Sequence, residues 1–294
     1  MTVWIGGVVT LKNRARAILP AALWHSLSAV KQYFARRRAV GRLYADYFAP
    51  NISALRPLVM ASRETSDFTY DLTPQNLRYL AELVACATAR PAAEIAAYID
   101  EAINDTKLNA AAARGVLGKP PYRRSPFGRR LGWYAIARAI KPKVIVETGV
   151  SRGHGAIMLC AALLRNGAEG SPGRYFGTDK DLEAGRLLTG SYATVGTILY
   201  GDSLQSLAAL DETIDLFIND SDHSADYEAR EYRAIAGKLS GTGFILADNA
   251  HVTDRLALFS RETGRQFLYF QESPENHWYP GGGIGISFPP RPAL

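Results

Sequence analysis

The chain predicts an α/β fold, a mainly parallel sheet flanked by helices and preceded by a helical extension. Three observations carry that reading. The segment VIVETGVSRGHG over residues 144–155 runs from a buried apolar strand into a glycine-rich turn and then a helix start. Further short apolar runs follow, each ending in a carboxylate and each separated from the next by helical pattern. Near the end, residues 266–271 and 283–288 read as two strands with no helix between them.

The elements follow in chain order. Residues 1–125 form the predicted helical extension. Its first part is basic, with Lys12, Arg14, Arg16, the run Arg36, Arg37, Arg38, and Arg42. Thr73 followed by Pro74 is a helix start, with Pro in the first helical position and Leu77, Leu80, Leu83 and Val84 on one side, running through Cys86. Pro91 opens another helix through Ile95, Tyr98, Ile99 and Ile103. The stretch KPPYRRSPFG over residues 119–128 breaks the pattern as a loop. Residues 65–128 are the candidate lid or dimer surface. Residues 126–294 are the predicted catalytic domain, entered by a helix over 131–140.

Within that domain the strand before the glycine turn carries Glu147, and Gly149, Gly153 and Gly155 keep Cβ atoms out of a tight turn that can bring backbone N–H groups to a ligand. The next strand, residues 174–179, ends in Asp179. That is where nucleotide-binding α/β folds place an acid on ribose hydroxyls. The runs over 197–203, 214–220 and 243–248 end near Asp202, Asp220 and Asp248. Ligands of open α/β sheets bind outside the carboxyl ends of the strands, so all five acids are expected along one edge. The G-x-x-x-G-x-G spacing is not the G-x-G-x-x-G of nicotinamide and flavin folds, which disfavours an oxidoreductase.

With an acid two positions before its first glycine, the turn resembles motif I of class I S-adenosylmethionine (SAM) methyltransferases, and residues 131–288 resemble such an enzyme throughout. The resemblance implies a Rossmann-like seven-stranded sheet of order 3-2-1-4-5-7-6 with its last strand antiparallel. It also implies SAM contacts from Glu147, Gly149, Ser151, Gly153, Gly155, Asp179, Asp202 and Asp220. The NDSDH sequence over 219–223 resembles the end of strand four in natural-product and macrolide-sugar O-methyltransferases. The ADN sequence over 247–249 is similar to the metal-binding end of strand five in catechol O-methyltransferase. Matched strand by strand, Asp220, Asp248 and Asn249 fall on that family's magnesium ligands, and oxygen-only donors suit Mg²⁺. The macrolide-sugar group more often ends strand five in paired acids, so Asn249 is a departure.

A metal-bound hydroxyl needs a proton acceptor. His223, three residues after Asp220, has the right intrinsic pKa for a general base, with His251 as a second candidate. His154, inside the turn, is expected to pack near the cofactor. In the loop over 272–282, His277, Trp278 and Tyr279 either reach the site or pack the strand pair onto the domain. The implied function is methyl transfer to a hydroxyl of a small molecule, such as a sugar, phenol or lipid-linked alcohol. The alternatives are metal-independent N- or carboxyl-methylation and a non-catalytic SAM-binding scaffold. Retained strand-end acids count against the scaffold.

Composition agrees. The 294 residues, 47% hydrophobic, suffice for one α/β domain plus an extension. Cys86 and Cys160 sit in helical apolar runs and are expected as buried thiols, consistent with a reducing, cytoplasmic setting. No apolar run reaches the roughly 18 residues that cross a bilayer, and no cleavable leader is evident. The net charge of +6 is unevenly placed, with Arg36, Arg37, Arg38 and Arg42 in one early segment and Arg123, Arg124, Arg129 and Arg130 clustered before the second domain, so weak contact of the basic N-terminus with anionic membrane surfaces is open. No nucleic-acid motif is present. A homo-oligomer is expected.

Overall fold

The computed structural model describes residues 20–49, 69–115, 125–248, 250–275, 277 and 279–290. The chain divides into two compact units, residues 1–58 and 59–294. In the first, α1 (Ala21–Leu43) opens after Pro20 and continues into a π-helical turn, Tyr44–Phe48. Leu23, Leu27, Val30, Tyr33 and Phe34 are exposed along it, ahead of the basic run that begins at Arg36. Among the described residues no helix is long and apolar enough to cross a membrane. Lys12, Arg14, Arg16, Arg123 and Arg124 lie outside the described residues.

The second unit begins with α2 (Pro74–Thr88), α3 (Ala92–Asn104), α4 (Thr106–Ala113) and α5 (Arg130–Ile140). Thr73 caps α2 by accepting from the Asn76 N–H at 3.3 Å, and Pro74 occupies the position where no donor is needed. Asp105 caps α4 in the same way through Leu108 N–H at 2.9 Å. Helices α2 to α4 pack with the sheet: Leu80, Val84, Ile95, Ile99 and Leu108 join the core that also holds Ile145 and Leu216. One correction concerns Cys86, which is exposed on α2, whereas Cys160 is buried.

The sheet follows as β1 (Val144–Thr148), α6 (His154–Ala168), β2 (Arg174–Asp179), β3 (Gly196–Tyr200), α7 (Ser203–Ala209), β4 (Ile214–Asn219), α8 (Ala225–Ile235), β5 (Leu239–Ala247), α9 (Arg255–Glu262), β6 (Gln266–Gln271) and β7 (Gly283–Phe288). The order is β3-β2-β1-β4-β5-β7-β6, as expected. Strands β1 to β5 pair in parallel, and β7 runs antiparallel to both β5 and β6. Side chains alternate between two cores. Ile145, Leu216, Ile218 and Leu246 face α2, α3, α5 and α6, while Val144, Val146, Phe217 and Ile245 face α7, α8 and α9. Because both faces are covered, the central strands read as unbroken apolar runs in the sequence.

Helix α5 lies between the sheet and the outer helices with residues 131–139 all buried. Arg138, on its last turn, donates to Glu101 of α3 at 2.9 Å and to Glu169 just past α6 at 2.5 Å. Leu80 packs against Gly132 of α5 and is fully buried. Leu80→Ala should lower global stability by about 2–5 kcal/mol. Urea unfolding of this unit followed by tryptophan fluorescence should remain one transition. An earlier, separate transition would make α2 to α4 an independently melting lid.

Candidate functional site

The glycine turn is built by close backbone approach. Gly149 has φ +81°, and a Cβ there would sit 2.0 Å from the carbonyl oxygen of Asp220, so the turn rests directly on the end of β4. Ser151 and Gly153 also take positive φ, +49° and +99°. Asp179 Oδ2 accepts from the N–H groups of Val150 at 3.0 Å and Ser151 at 2.8 Å, and its Oδ1 accepts from Asp181 N–H at 2.9 Å. The carboxylate at the end of β2 thus fixes the loop and still faces the cavity above it.

Gly155 serves a different neighbour. A Cβ there would meet Glu147 Oε1 at 2.3 Å and the Trp133 ring at 2.9 Å. Glu147 is buried under the turn and accepts from Tyr175 Oη at 2.5 Å. Burial pushes its carboxyl up to about 8. Of the expected cofactor contacts, Gly149, Ser151, Asp179, Asp202 and Asp220 border a cavity of about 990 Å³. Glu147, Gly153 and Gly155 do not line it; they shape its floor from below. His154 is buried and bonded through Nε2 to the Ala112 carbonyl at 3.2 Å, so it packs against α4.

The remaining strand-end acids have distinct partners. Asp202 caps α7 through Gln205 N–H at 3.2 Å and accepts from Tyr227 Oη at 2.9 Å. Glu231 of α8 collects Thr148 Oγ1 at 3.1 Å and Ser221 Oγ at 2.8 Å, together with Ser203 and Asn219, tying the ends of β1 and β4 to α7. Register aligns Asn219 with Ala247, which sets Asp220 and Asp248 on adjacent strand ends.

Of the expected magnesium donors, Asp220 and Asp248 are among the described residues, and Asp248 already has a cationic partner. Asn249 lies outside the described residues. Asp248 is buried, and Arg129 binds both of its oxygens, Nε to Oδ1 at 2.5 Å and Nη2 to Oδ2. Arg129 Nη1 reaches Tyr70 Oη and Glu272 Oε1, each at 2.9 Å, and its backbone N–H donates to Glu272 Oε2 at 3.2 Å. Burial alone would raise Asp248, but Arg129 beside it holds its carboxyl at about 2. Burial and the Asp248 charge push half-buried Asp220 well above the usual carboxylate range. No group of three or more His, Cys, Asp or Glu side chains among the described residues is arranged to hold a metal. A carboxylate whose two oxygens both accept from a guanidinium is a poor donor for a divalent cation.

The imidazoles are better placed. His223 and His251 are exposed and border the same cavity, as does Tyr279. Partial burial and then Arg129 lower the pKa of His251, favouring its neutral form. His277 is buried, 4.9 Å from the Tyr70 ring, and its Nδ1 accepts from Tyr279 N–H at 3.1 Å. The loop therefore does both things expected of it, with Tyr279 at the cavity and His277 packed. Trp278 lies outside the described residues.

Sequence reasoning passed over Arg129 and Arg130 as part of a basic cluster. Arg130 also lines the cavity, with its guanidinium 5.6 Å from the Trp133 ring and its Nε without a hydrogen-bond partner among the described residues. A signal was available. Two arginines at the first turn of a helix oppose its dipole, so acids elsewhere must hold them there.

Glu147 gives this site a pH signature. The side chain is neutral in the folded protein up to about pH 8 and ionises from about 4.5 when unfolded. Its stabilising contribution is complete below the lower value and is lost as pH rises towards the upper one. Melting temperatures of the wild type and Glu147→Gln, compared between about pH 5 and pH 8, should diverge in the variant's favour as pH rises. A constant difference would contradict the burial of an ionisable Glu147.

Residues 146–250 match a family model described as a methyltransferase domain. No curated protein sequence matches the chain. Among solved structures, a methyltransferase from Geobacter sulfurreducens is similar at 18% identity over 67% of this chain and 96% of its own, with a TM-score of 0.46. An O-methyltransferase from Bacillus cereus in complex with SAH is similar at 15% identity over 73% and 99% of the two chains, TM-score 0.43. A Streptomyces achromogenes O-methyltransferase of tomaymycin synthesis, in complex with SAM, is similar at 14% identity over 81% and 96%, TM-score 0.43. The matched segment runs from within β1 to just past β5 and so contains the glycine turn and the strand-end acids. The sheet order agrees with the one that the sequence resemblance implied, so the matched segment and the fold point the same way.

Proposed function

We propose that the protein methylates a hydroxyl oxygen of a small molecule, using SAM as donor. The observation that carries this reading is one cavity bordered by the glycine turn and Asp179 and also by His223 and His251. The turn and Asp179 suit the ribose of SAM, since the carboxylate keeps lone pairs facing the cavity. Arg130 offers a cation beside the turn for the carboxylate at the amino-acid end of the cofactor. The acceptor enters from the side of the imidazoles and Tyr279.

The chemistry asked of these residues is modest. In an in-line displacement the acceptor oxygen bonds to the methyl carbon, the carbon–sulfur bond breaks, and sulfur keeps the electron pair. The hydroxyl proton must go to a base, and a neutral imidazole is suited to take it. His251 is favoured by its lowered pKa, and His223 lines the same cavity. A carboxylate acceptor needs no base, so the imidazoles favour oxygen of a hydroxyl over carboxyl methylation.

Calorimetry should show SAM and S-adenosylhomocysteine (SAH) binding to the wild type. Asp179→Asn, which can still accept from the turn N–H groups, should weaken binding by about 1.5–3 kcal/mol for each charge-assisted ribose bond lost. A folded wild type that binds neither ligand would sink the reading. For catalysis, replacing the working base by Ala should lower kcat by on the order of 10²–10⁴ with SAM affinity nearly unchanged. Steady-state kinetics of His223→Ala and His251→Ala assign the role, and the loss should shrink at high pH as the hydroxyl ionises unaided. If neither variant loses turnover, proton transfer to an imidazole is not part of the mechanism.

A further inference from the structure

The Arg129 cluster is a complete unit. Both oxygens of Asp248 accept from the Arg129 guanidinium. Glu272 Oε1 accepts from Arg129 Nη1 at 2.9 Å, Tyr70 Oη at 2.7 Å and Gly282 N–H at 2.7 Å. Its Oε2 accepts from the Arg129 backbone. The side chains of Arg129, Asp248 and Glu272 are 5%, 4% and 0% exposed, so solvent does not screen them. Buried carboxylates at strand ends require a counter-cation, and a planar guanidinium meets one bidentately.

We propose that Arg129 takes the place of a divalent cation at the Asp220–Asp248 strand ends, so that methyl transfer here proceeds without a metal. The inference rests on the methyltransferase reading for its functional meaning, though not for its geometry. A divalent ion seated on Asp248 would have to displace the guanidinium or lie against it in a dry site, and Glu272 with Tyr70 anchors the guanidinium from behind. Arg129 is a positioning residue. It fixes Asp248 and joins the start of α5 to the loop after β6, and that loop carries Tyr279 to the cavity. The consequence for substrate is specific. With Arg129 in that place no ion is needed to chelate two adjacent oxygens, so the acceptor class extends to hydroxyls with no neighbouring chelating oxygen.

The test uses the full chain, with and without SAH, titrated with Mn²⁺ while electron paramagnetic resonance reads the free ion. For the wild type, free Mn²⁺ should equal total Mn²⁺ up to a concentration on the order of 1 mM. Arg129→Gln, which empties the acid pair, should bind one Mn²⁺ at least tenfold more tightly than the wild type. One equivalent bound by the wild type and lost in Asp248→Asn overturns the proposal. So does an Arg129→Gln protein that retains its circular dichroism yet gains no Mn²⁺. If Arg129→Gln does not fold, the wild-type and Asp248→Asn titrations decide the matter alone. Failure to bind SAH would count against the methyltransferase reading while leaving the Mn²⁺ result to stand.

Discussion

The buried pairing of Arg129 with Asp248 and Glu272 ties together three distant parts of the chain. Arg129 belongs to the N-terminus of α5, Asp248 follows β5, and Glu272 follows β6. Removing one member of such a cluster strands a desolvated charge, which typically costs about 3–5 kcal/mol. The cluster is therefore more than a surface contact. It sets where α5 meets the sheet, and α5 in turn carries Trp133 against Gly155 and the buried Glu147.

From that anchor the cofactor side follows by steric exclusion. Gly149 is pressed on the Asp220 carbonyl and Gly155 on the Glu147 carboxyl, so the turn has no freedom to take side chains at either place. Asp179 then orders the loop by accepting two consecutive N–H groups. Backbone geometry and one carboxylate prepare the cavity before any ligand enters it, which limits the ordering cost of binding.

Much of this was legible in the sequence, for identifiable reasons. Strands buried on both faces are continuous apolar runs, so β1, β2, β4, β6 and β7 could be placed closely, and strand-end acids mark the edge where ligands bind. β5 begins earlier than its apolar core suggests, at Leu239, because its first residues are half-buried or exposed. Helix α4 escaped notice because alanines in residues 106–113 carry propensity but little amphipathic pattern. The partner of Asp248 was invisible for another reason. Arg129 lies 119 positions away in the chain, and a basic residue before a helix looks like solvated surface until its acids are found. Matching strand ends to a metal-binding family pointed to Asp220 and Asp248 but could not show that a guanidinium already satisfied one of them.

The same guanidinium bears on the imidazole across the cavity mouth. On the proposed reading, an alcohol that no metal acidifies would meet the sulfonium with its ordinary high pKa, and proton removal would fall to a side chain that is neutral near pH 7. His251 is pushed that way first by partial burial and then by the Arg129 charge. Substituting a fixed organic cation for a metal would thus alter two features together. It withdraws Lewis-acid help from the acceptor and biases a nearby imidazole towards the form that can take the proton. On the reading proposed above, the guanidinium that occupies both Asp248 oxygens is also one of the groups that favour the neutral form of His251, so the two proposals support each other.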